Sequence, residues 1–85
     1  MAEKFTIHPP RKPIVRWLSP VPTVCDTCGE PIREEFYDEK TSIGGKWGCI
    51  CSTCHTLGPG LGKLGTGWGQ KYEKQSDGSW VKTEG

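Results

Sequence analysis

The chain has 85 residues, of which 33% are hydrophobic and 25% are charged, and its formal net charge is +1. This length allows one domain with an arm, and so short a chain is marginally stable unless something besides a hydrophobic core holds it together. The near-neutral charge excludes the strongly basic composition typical of nucleic-acid-binding domains. No apolar run approaches the roughly 20 residues of a membrane-spanning helix.

The first predicted element is an extended, basic arm over residues 1–24. Proline recurs through this segment, and because proline removes backbone donors and fixes φ, we expect neither a helix nor a central strand. Two roles are open to the arm, and both could hold. It could pack apolar side chains against the rest of the chain, the candidates being Ile14, Val15, Trp17 and Leu18. It could also contact a partner, through Arg11, Lys12, Arg16 and Trp17.

Two Cys-x-x-Cys pairs follow the arm, at residues 25–28 and 51–54. Such a turn places two sulfur atoms on one side of a tight loop, and Gly29 allows the chain to leave the first turn through a left-handed residue. Two pairs about twenty residues apart are typical of a structural zinc site. With no secretory signal at the start of the chain, we expect a cytosolic protein whose thiols stay reduced. The sequence predicts one Zn²⁺ with the ligands Cys25, Cys28, Cys51 and Cys54.

Two alternate ligands, Cys49 and His55, flank the second pair. We expect Cys49 to be a small buried hydrophobic residue, as free cysteines often are, although it could replace Cys51. His55 is a minor alternative, because a residue directly after Cys54 points away from the four sulfur ligands, here called the cage, in most such turns. Iron in a rubredoxin-like site would use the same four cysteines. Four protein ligands leave no open position for water or substrate, so we expect no enzyme.

Between the cysteine pairs, the pattern predicts a hairpin. Residues 31–37 alternate as a strand, and residues 45–50 are aromatic and bounded by glycine, as in a returning strand. The turn is expected around residues 38–44. A cysteine turn, a hairpin and a second cysteine turn over residues 25–55 are the plan of a zinc ribbon. The predicted fold class is therefore a small metal-stabilised β domain, a zinc ribbon of short antiparallel hairpins with an extended Pro-rich N-terminal arm.

The zinc-ribbon domain is expected to extend over residues 25–85, with a glycine-rich loop at 56–69 and a C-terminal hairpin at 70–84. The glycines of the loop allow either unusual backbone angles or close backbone approach. Asp77-Gly78 is a strong hairpin turn signal. Two registers stay open: a two-residue turn pairs Lys71 with Glu84, whereas a three-residue turn places Tyr72 and Trp80 on one face.

A mixed basic and aromatic surface is expected where the glycine loop meets this hairpin. Lysines and freed backbone amides can contact phosphate, and aromatic rings can stack on bases, but the same residue types suit a protein interface. The candidate partner-binding residues here are Lys63, Trp68, Lys71 and Tyr72.

The C-terminal half also carries a more particular pattern. Gly-Gln-Lys-Tyr-Glu-Lys at residues 69–74 is followed by Asp-Gly-Ser-Trp at residues 77–80, after the second cysteine pair and its glycines. On these motifs, residues 25–85 resemble small zinc-ribbon proteins encoded by tailed bacteriophages. The resemblance implies a ribbon fold, a phage origin and a setting in the cytoplasm of a bacterial host, and it implies no activity. The arm over residues 1–24 lies outside it.

Together these features predict a binding module. The leading expectation is a small zinc-binding protein-interaction module that acts on a phage protein complex or on a host complex of transcription, replication or defence, because the charge is near neutral while aromatic residues and glycines lie outside the cage. The alternative is a nucleic-acid-binding zinc ribbon that uses the basic arm and the glycine loop. We expect no membrane contact and no small-molecule substrate.

Overall fold

A computed structural model describes residues 14–85. It contains one helix, α1 (Ser52–Leu57), and four strands, β1 (Glu35–Lys40), β2 (Trp47–Ile50), β3 (Gly69–Lys74) and β4 (Trp80–Glu84). The strands form one antiparallel sheet in the order β2-β1-β3-β4. The prediction of a small β domain built of short antiparallel hairpins is therefore confirmed. Within residues 14–85, no helix is long and apolar enough to cross a membrane.

The first hairpin starts and turns later than predicted. β1 begins at Glu35 rather than at residue 31, and the expected turn at 38–44 is wrong, because residues 38–40 continue the strand opposite β2. Alternation along β1 explains this extension, since Tyr37 and Glu39 are both buried on one face. The turn closes at Thr41, whose backbone N–H and hydroxyl both donate to the carbonyl of Lys46, each at 2.8 Å.

The second hairpin combines the two registers that the sequence left open. Near its turn the loop has three residues, since the N–H of Gln75 donates to the carbonyl of Ser79 at 2.7 Å and Lys74 pairs with Trp80. A register shift between Lys71 and Tyr72 then brings Lys71 opposite Glu84. Each predicted register thus holds for one part of the hairpin, and a β-bulge joins them.

Helix α1 was not predicted, because its sequence lacks the usual start signal. Cys51 occupies the N-cap position with an extended backbone, φ −79° and ψ 167°, and its side chain makes no capping hydrogen bond. Serine, threonine, aspartate and asparagine are the residues that mark a helix start. The helix ends after six residues, before Gly58.

The sheet separates two small cores. One face, here called the cysteine face, carries Tyr37 and Ile50, which pack with Cys25 and Cys54. The other, here called the aromatic face, carries a cluster whose buried members are Phe36, Tyr72 and Trp80. Consecutive residues of β1 supply both faces, because side chains alternate across a strand.

The described part of the arm lies along β4. The N–H of Trp17 donates to the carbonyl of Trp80 at 2.9 Å, and the N–H of Lys82 donates to the carbonyl of Val15 at 2.8 Å. These bonds cover the edge of β4, which would otherwise offer open backbone groups to another chain.

Of the four arm side chains expected to pack, all of which lie within residues 14–85, Trp17 packs as predicted. The Trp17 ring lies edge-on to Phe36 and Tyr72, with both centroid distances at 5.1 Å. The expected packing is wrong for Ile14 and Leu18, which are 73% and 92% exposed. Val15 is also exposed. Trp17 therefore closes the aromatic face almost alone among these four.

Candidate metal centre

The four cysteines of the two Cys-x-x-Cys pairs lie together in space. All four sulfur atoms fall within 4.8 Å of one another, and Sγ of Cys28 is 3.7 Å from Sγ of Cys51. Zinc binds cysteine sulfur at about 2.3 Å in a tetrahedron, which puts neighbouring sulfurs about 3.8 Å apart. The geometry and the donor set therefore fit one tetrahedral metal ion. Both Cys25 and Cys54 are buried, while Cys28 is exposed.

The first cysteine pair forms a tight turn before β1. The N–H of Gly29 donates to the carbonyl of Cys25 at 2.9 Å, and Gly29 has φ +77°. A Cβ at this position would meet no atom within 4 Å, so the backbone angle rather than space favours glycine. The predicted left-handed exit from the first turn is confirmed.

Asp26 fastens this turn to the edge of β2. Its backbone N–H donates to the carbonyl of Cys49 at 3.0 Å, and its carboxylate Oδ2 accepts from the N–H of Cys49 at 2.8 Å. The two bonds hold the first cysteine pair beside the second. Sequence reasoning missed this residue, because an acidic residue inside a Cys-x-x-Cys turn is not a signal of any one structure.

The second pair sits where β2 passes into α1. Cys51 precedes the helix and Cys54 lies within it. The carbonyl of Cys54 accepts from the N–H groups of Gly58 and Gly60, at 3.1 and 2.9 Å. The chain thus folds back over the cysteine face directly after the second pair.

The electrostatics of the cluster favour a cation at its centre. Burial raises the pKa of Cys25, but hydrogen bonds from Thr27 and from backbone N–H groups, including that of Cys51, outweigh burial and lower the pKa to about 6. A backbone hydrogen bond at Glu30 lowers the pKa of Cys28, yet burial and the neighbouring sulfur atoms raise it to about 12. Ionisation of one thiol therefore disfavours ionisation of the next, and a divalent ion is what allows all four to ionise together.

Cys49 lies outside this cluster. Its side chain packs against the aromatic face, and its Cα lies opposite that of Asp38 in β1. Burial, followed by the charges of Asp38 and Asp26, raises the pKa of Cys49 to about 12. Cys49 and Cys51 would share a face in one strand, but β2 ends at Ile50, so the two side chains diverge. A protonated, half-buried Cys49 behaves as the small hydrophobic residue that the sequence led us to expect.

His55 is paired with a buried carboxylate rather than with the four sulfurs. Its Nδ1 lies 2.7 and 2.8 Å from the two carboxylate oxygens of Glu39. Its ring stacks on Tyr37 with a centroid distance of 3.9 Å and an interplanar angle of 4°. Glu39 is completely buried; burial raises its pKa, although the His55 hydrogen bond lowers it. No sequence signal marked Glu39, which lay in a predicted turn.

The glycine loop closes over this pair. A Cβ on Gly60 would lie 2.6 Å from Oε2 of Glu39 and 2.5 Å from Cα of His55, and a Cβ on Gly69 would overlap the Glu39 side chain. Close backbone approach, one of the two options that the sequence left open, therefore explains these two positions.

Two of the predicted partner-binding residues do not lie on an exposed surface. Tyr72 is 5% exposed and stacks on Phe36 within the aromatic cluster, so its expected exposure is wrong. The Nζ of Lys71 lies within 4 Å of three carboxylates, those of Glu35, Glu73 and Glu84. Because neighbours on a strand point to opposite faces, the two side chains cannot share one surface.

Three of the other predicted contact residues lie on the surface, namely Arg16, Lys63 and Trp68. Nζ of Lys63 lies 4.5 Å from the ring centroid of Trp68, and both residues are exposed. Arg16 is exposed beside β4, whereas Trp17 is half-buried and donates its indole N–H to the carbonyl of Pro20 at 3.1 Å. Arg11 and Lys12 lie outside the described residues.

Comparison with protein-family models, with curated proteins and with solved structures finds no match for this chain. Its function is therefore argued from the cysteine cluster and the surfaces around it.

Proposed function

We propose that this chain is a zinc-stabilised binding module in which one structural Zn²⁺ is held by Cys25, Cys28, Cys51 and Cys54. The observation that supports this most strongly is the tetrahedral spacing of the four sulfurs, within 4.8 Å overall and 3.7 Å between Cys28 and Cys51. Zinc is preferred to iron because divalent ions at such sites follow the Irving–Williams order, in which zinc binds more tightly than ferrous iron.

The ion has a structural role in this proposal. Four thiolates complete a tetrahedral shell, which leaves no position for a substrate. The ligands come from the turn before β1 and from the segment after β2, so the ion ties together both ends of the first hairpin. In the pair next to the second cysteine turn, Glu39 is completely buried and His55 is stacked on Tyr37, so we assign this pair to packing rather than to catalysis.

The binding role rests on large side chains that the fold leaves in solvent. Trp47 and Trp68 belong to neither core cluster, and both are exposed. Tryptophan is highly buried on average, and it is enriched in the central contacts of binding interfaces. In the setting that the bacteriophage resemblance implies, the partner would belong to a host or phage complex in the bacterial cytoplasm.

Metal removal tests the structural role. The full chain is purified, its metal content is measured, and a zinc chelator is added while far-UV circular dichroism and tryptophan fluorescence are recorded. We expect both signals to change together and to return with Zn²⁺ but not with Mg²⁺. The control is the same chelator saturated beforehand with zinc. A metal-free chain with unchanged spectra would contradict the proposal.

A further inference from the structure

Two exposed tryptophans and two lysines meet at one end of the sheet. Lys40 of β1 lies directly opposite Trp47 of β2, and opposed residues project on the same face with their Cβ atoms about 5 Å apart. The Nζ of Lys40 is also 5.7 Å from the ring centroid of Trp68, and that of Lys63 is 4.5 Å from it. The tryptophan–lysine patch is defined by these four residues, Lys40, Trp47, Lys63 and Trp68.

The two rings are accessible. Trp47 is 52% exposed and Trp68 is 37% exposed, although tryptophan is usually among the more buried residues. Packing does not explain their position, because the aromatic cluster of the fold is built from other rings. Trp47 therefore retains surface on which a planar ligand group can stack, and Trp68 retains it on the part of its ring that the Lys63 ammonium does not cover.

The lysines of the patch carry unneutralised charge. Among residues 14–85, neither Lys40 nor Lys63 forms a salt bridge, whereas Lys71 contacts three carboxylates. Of the acidic residues near Lys40 in β1, Glu39 points to the opposite face and is bound to His55, while Asp38 shares the face of Lys40 but forms no salt bridge with it. Positive charge next to exposed rings, without acidic neighbours in ion-pair contact, is complementary to an anionic ligand that also has flat apolar faces.

Building on the zinc-stabilised module proposed above, we propose that the tryptophan–lysine patch binds single-stranded nucleic acid. Bases stack on Trp47 and Trp68, and backbone phosphates contact Lys40 and Lys63. Every base has a π-face, so this recognition is tolerant of sequence. A protein partner could also cover the tryptophans, but an apolar protein surface would leave both ammonium groups desolvated without a counter-charge. The near-neutral net charge limits the contact to a few phosphates rather than a long duplex.

The test uses the zinc-loaded full chain and a fluorescein-labelled ten-nucleotide oligo-dT in an anisotropy titration. For Trp68→Ala we expect a loss of affinity of roughly 5- to 150-fold, the range for removing one stacked base, with partial retention in Trp68→Phe. For Lys63→Gln we expect weaker binding and a salt dependence shallower by about 0.7 in the log–log slope, which corresponds to one phosphate contact.

Matched controls separate the patch from bulk charge and folding. Lys74→Gln changes the net charge equally at the opposite end of β3, and Leu18→Ala truncates an exposed apolar side chain in the arm beside β4, at the sheet edge opposite to β2. Both should bind oligo-dT as the wild type does. Zinc content is measured for every variant, and if Trp68→Ala fails to retain zinc, Trp68→Phe and Lys63→Gln decide the outcome.

Three results would overturn the nucleic-acid inference. The zinc-loaded wild type could fail to bind oligo-dT, Lys74→Gln could weaken binding as much as Lys63→Gln, or a poly-glutamate peptide could compete as well as unlabelled oligo-dT. The last result would indicate an acidic protein segment as the partner. In each of these cases a full complement of zinc and an intact circular dichroism spectrum would leave the zinc-stabilised module standing.

Discussion

The two faces of the sheet are held together by different chemistry. The aromatic face is closed by apolar rings, with Trp17 packing edge-on against Phe36 and Tyr72. The cysteine face instead contains four converging thiols and the pair of buried Glu39 and half-buried His55. Four ionised thiolates this close together repel one another unless positive charge balances them. The comparison teaches that apolar burial can close one face of so small a chain, while the other face is built around four sulfur atoms placed to bind a metal ion.

β1 couples the two faces. Phe36 points into the aromatic cluster, and its neighbour Tyr37 points into the cysteine face, where it stacks on His55. The two clusters share no buried residue, so they are connected through the backbone of strands such as β1 rather than through a common core. Variants on each face test how far the aromatic face and the cysteine face are stabilised independently.

The largest effect is expected from Cys25→Ser, with Cys49→Ser as its control. Structural zinc sites have apparent binding free energies of about 10–16 kcal/mol, which is comparable to the entire stability of a small domain. Cys25→Ser should therefore lose zinc and its cooperative thermal transition. Cys49→Ser should keep one zinc ion and lose only about 1 kcal/mol. Metal analysis and circular dichroism melting check both, and equal losses would show that Cys49 belongs to the cage.

A smaller effect, confined to stability, is expected from Trp17→Ala. Removing a half-buried ring should lower the free energy of unfolding by about 2–3 kcal/mol, below the range for a fully buried aromatic. Leu18→Ala, at a neighbouring residue that is 92% exposed, should change it by less than about 0.5 kcal/mol. Denaturant unfolding of the zinc-loaded protein measures both. If Trp17→Ala also released the metal, metal binding on the cysteine face would depend on packing on the aromatic face, which would contradict the division between them.

Gly60→Ala tests the closure of the glycine loop over the cysteine face. Its Cβ would strike backbone atoms of His55 and Cys54, so we expect a loss of about 1–3 kcal/mol. Gly62→Ala is the control: its Cβ would meet nothing within 4 Å, and only its φ of +67° disfavours alanine, by about 1 kcal/mol. Thermal melting compares them. Equal losses would mean that Glu39 and His55 are not tightly covered.

The smallest expected effect is a gain at Asp38 on the aromatic face. Burial raises the pKa of this carboxyl above its ordinary value of 3.8, so its protonated form favours the folded state. The resulting stability is present below pH 3.8 and is lost as the pH rises through the raised pKa. Asp38→Asn should therefore stabilise the protein at pH 7, by less than about 1 kcal/mol because solvent partly screens the charge. A lower melting temperature for this variant would contradict the assignment.

What the sequence could predict depended on local patterns. The Cys-x-x-Cys turns bring their own sulfurs together, so the cluster could be expected from spacing, and Asp77-Gly78 marked the second hairpin. The same alternation rule that predicts strands places Lys71 and Tyr72 on opposite faces, so their exclusion from one surface could have been anticipated.

The remaining features depend on contacts between distant segments. The burial of Glu39 requires His55 and two glycines from the later loop. The patch requires the register of β1 against β2, which brings Lys40 opposite Trp47. Helix α1 is too short and too weakly capped to be recognised from its own residues. None of these has a signature within a single stretch of sequence.

Native mass spectrometry of the full chain tests most directly whether one ion closes the cysteine face. We predict that compact, low charge states carry the mass of the polypeptide plus a single zinc ion, in the wild type and in Cys49→Ser alike. After chelation, the same chain should shift to the high charge states of an unfolded polypeptide. Compact ions at the mass of the bare polypeptide would contradict the account.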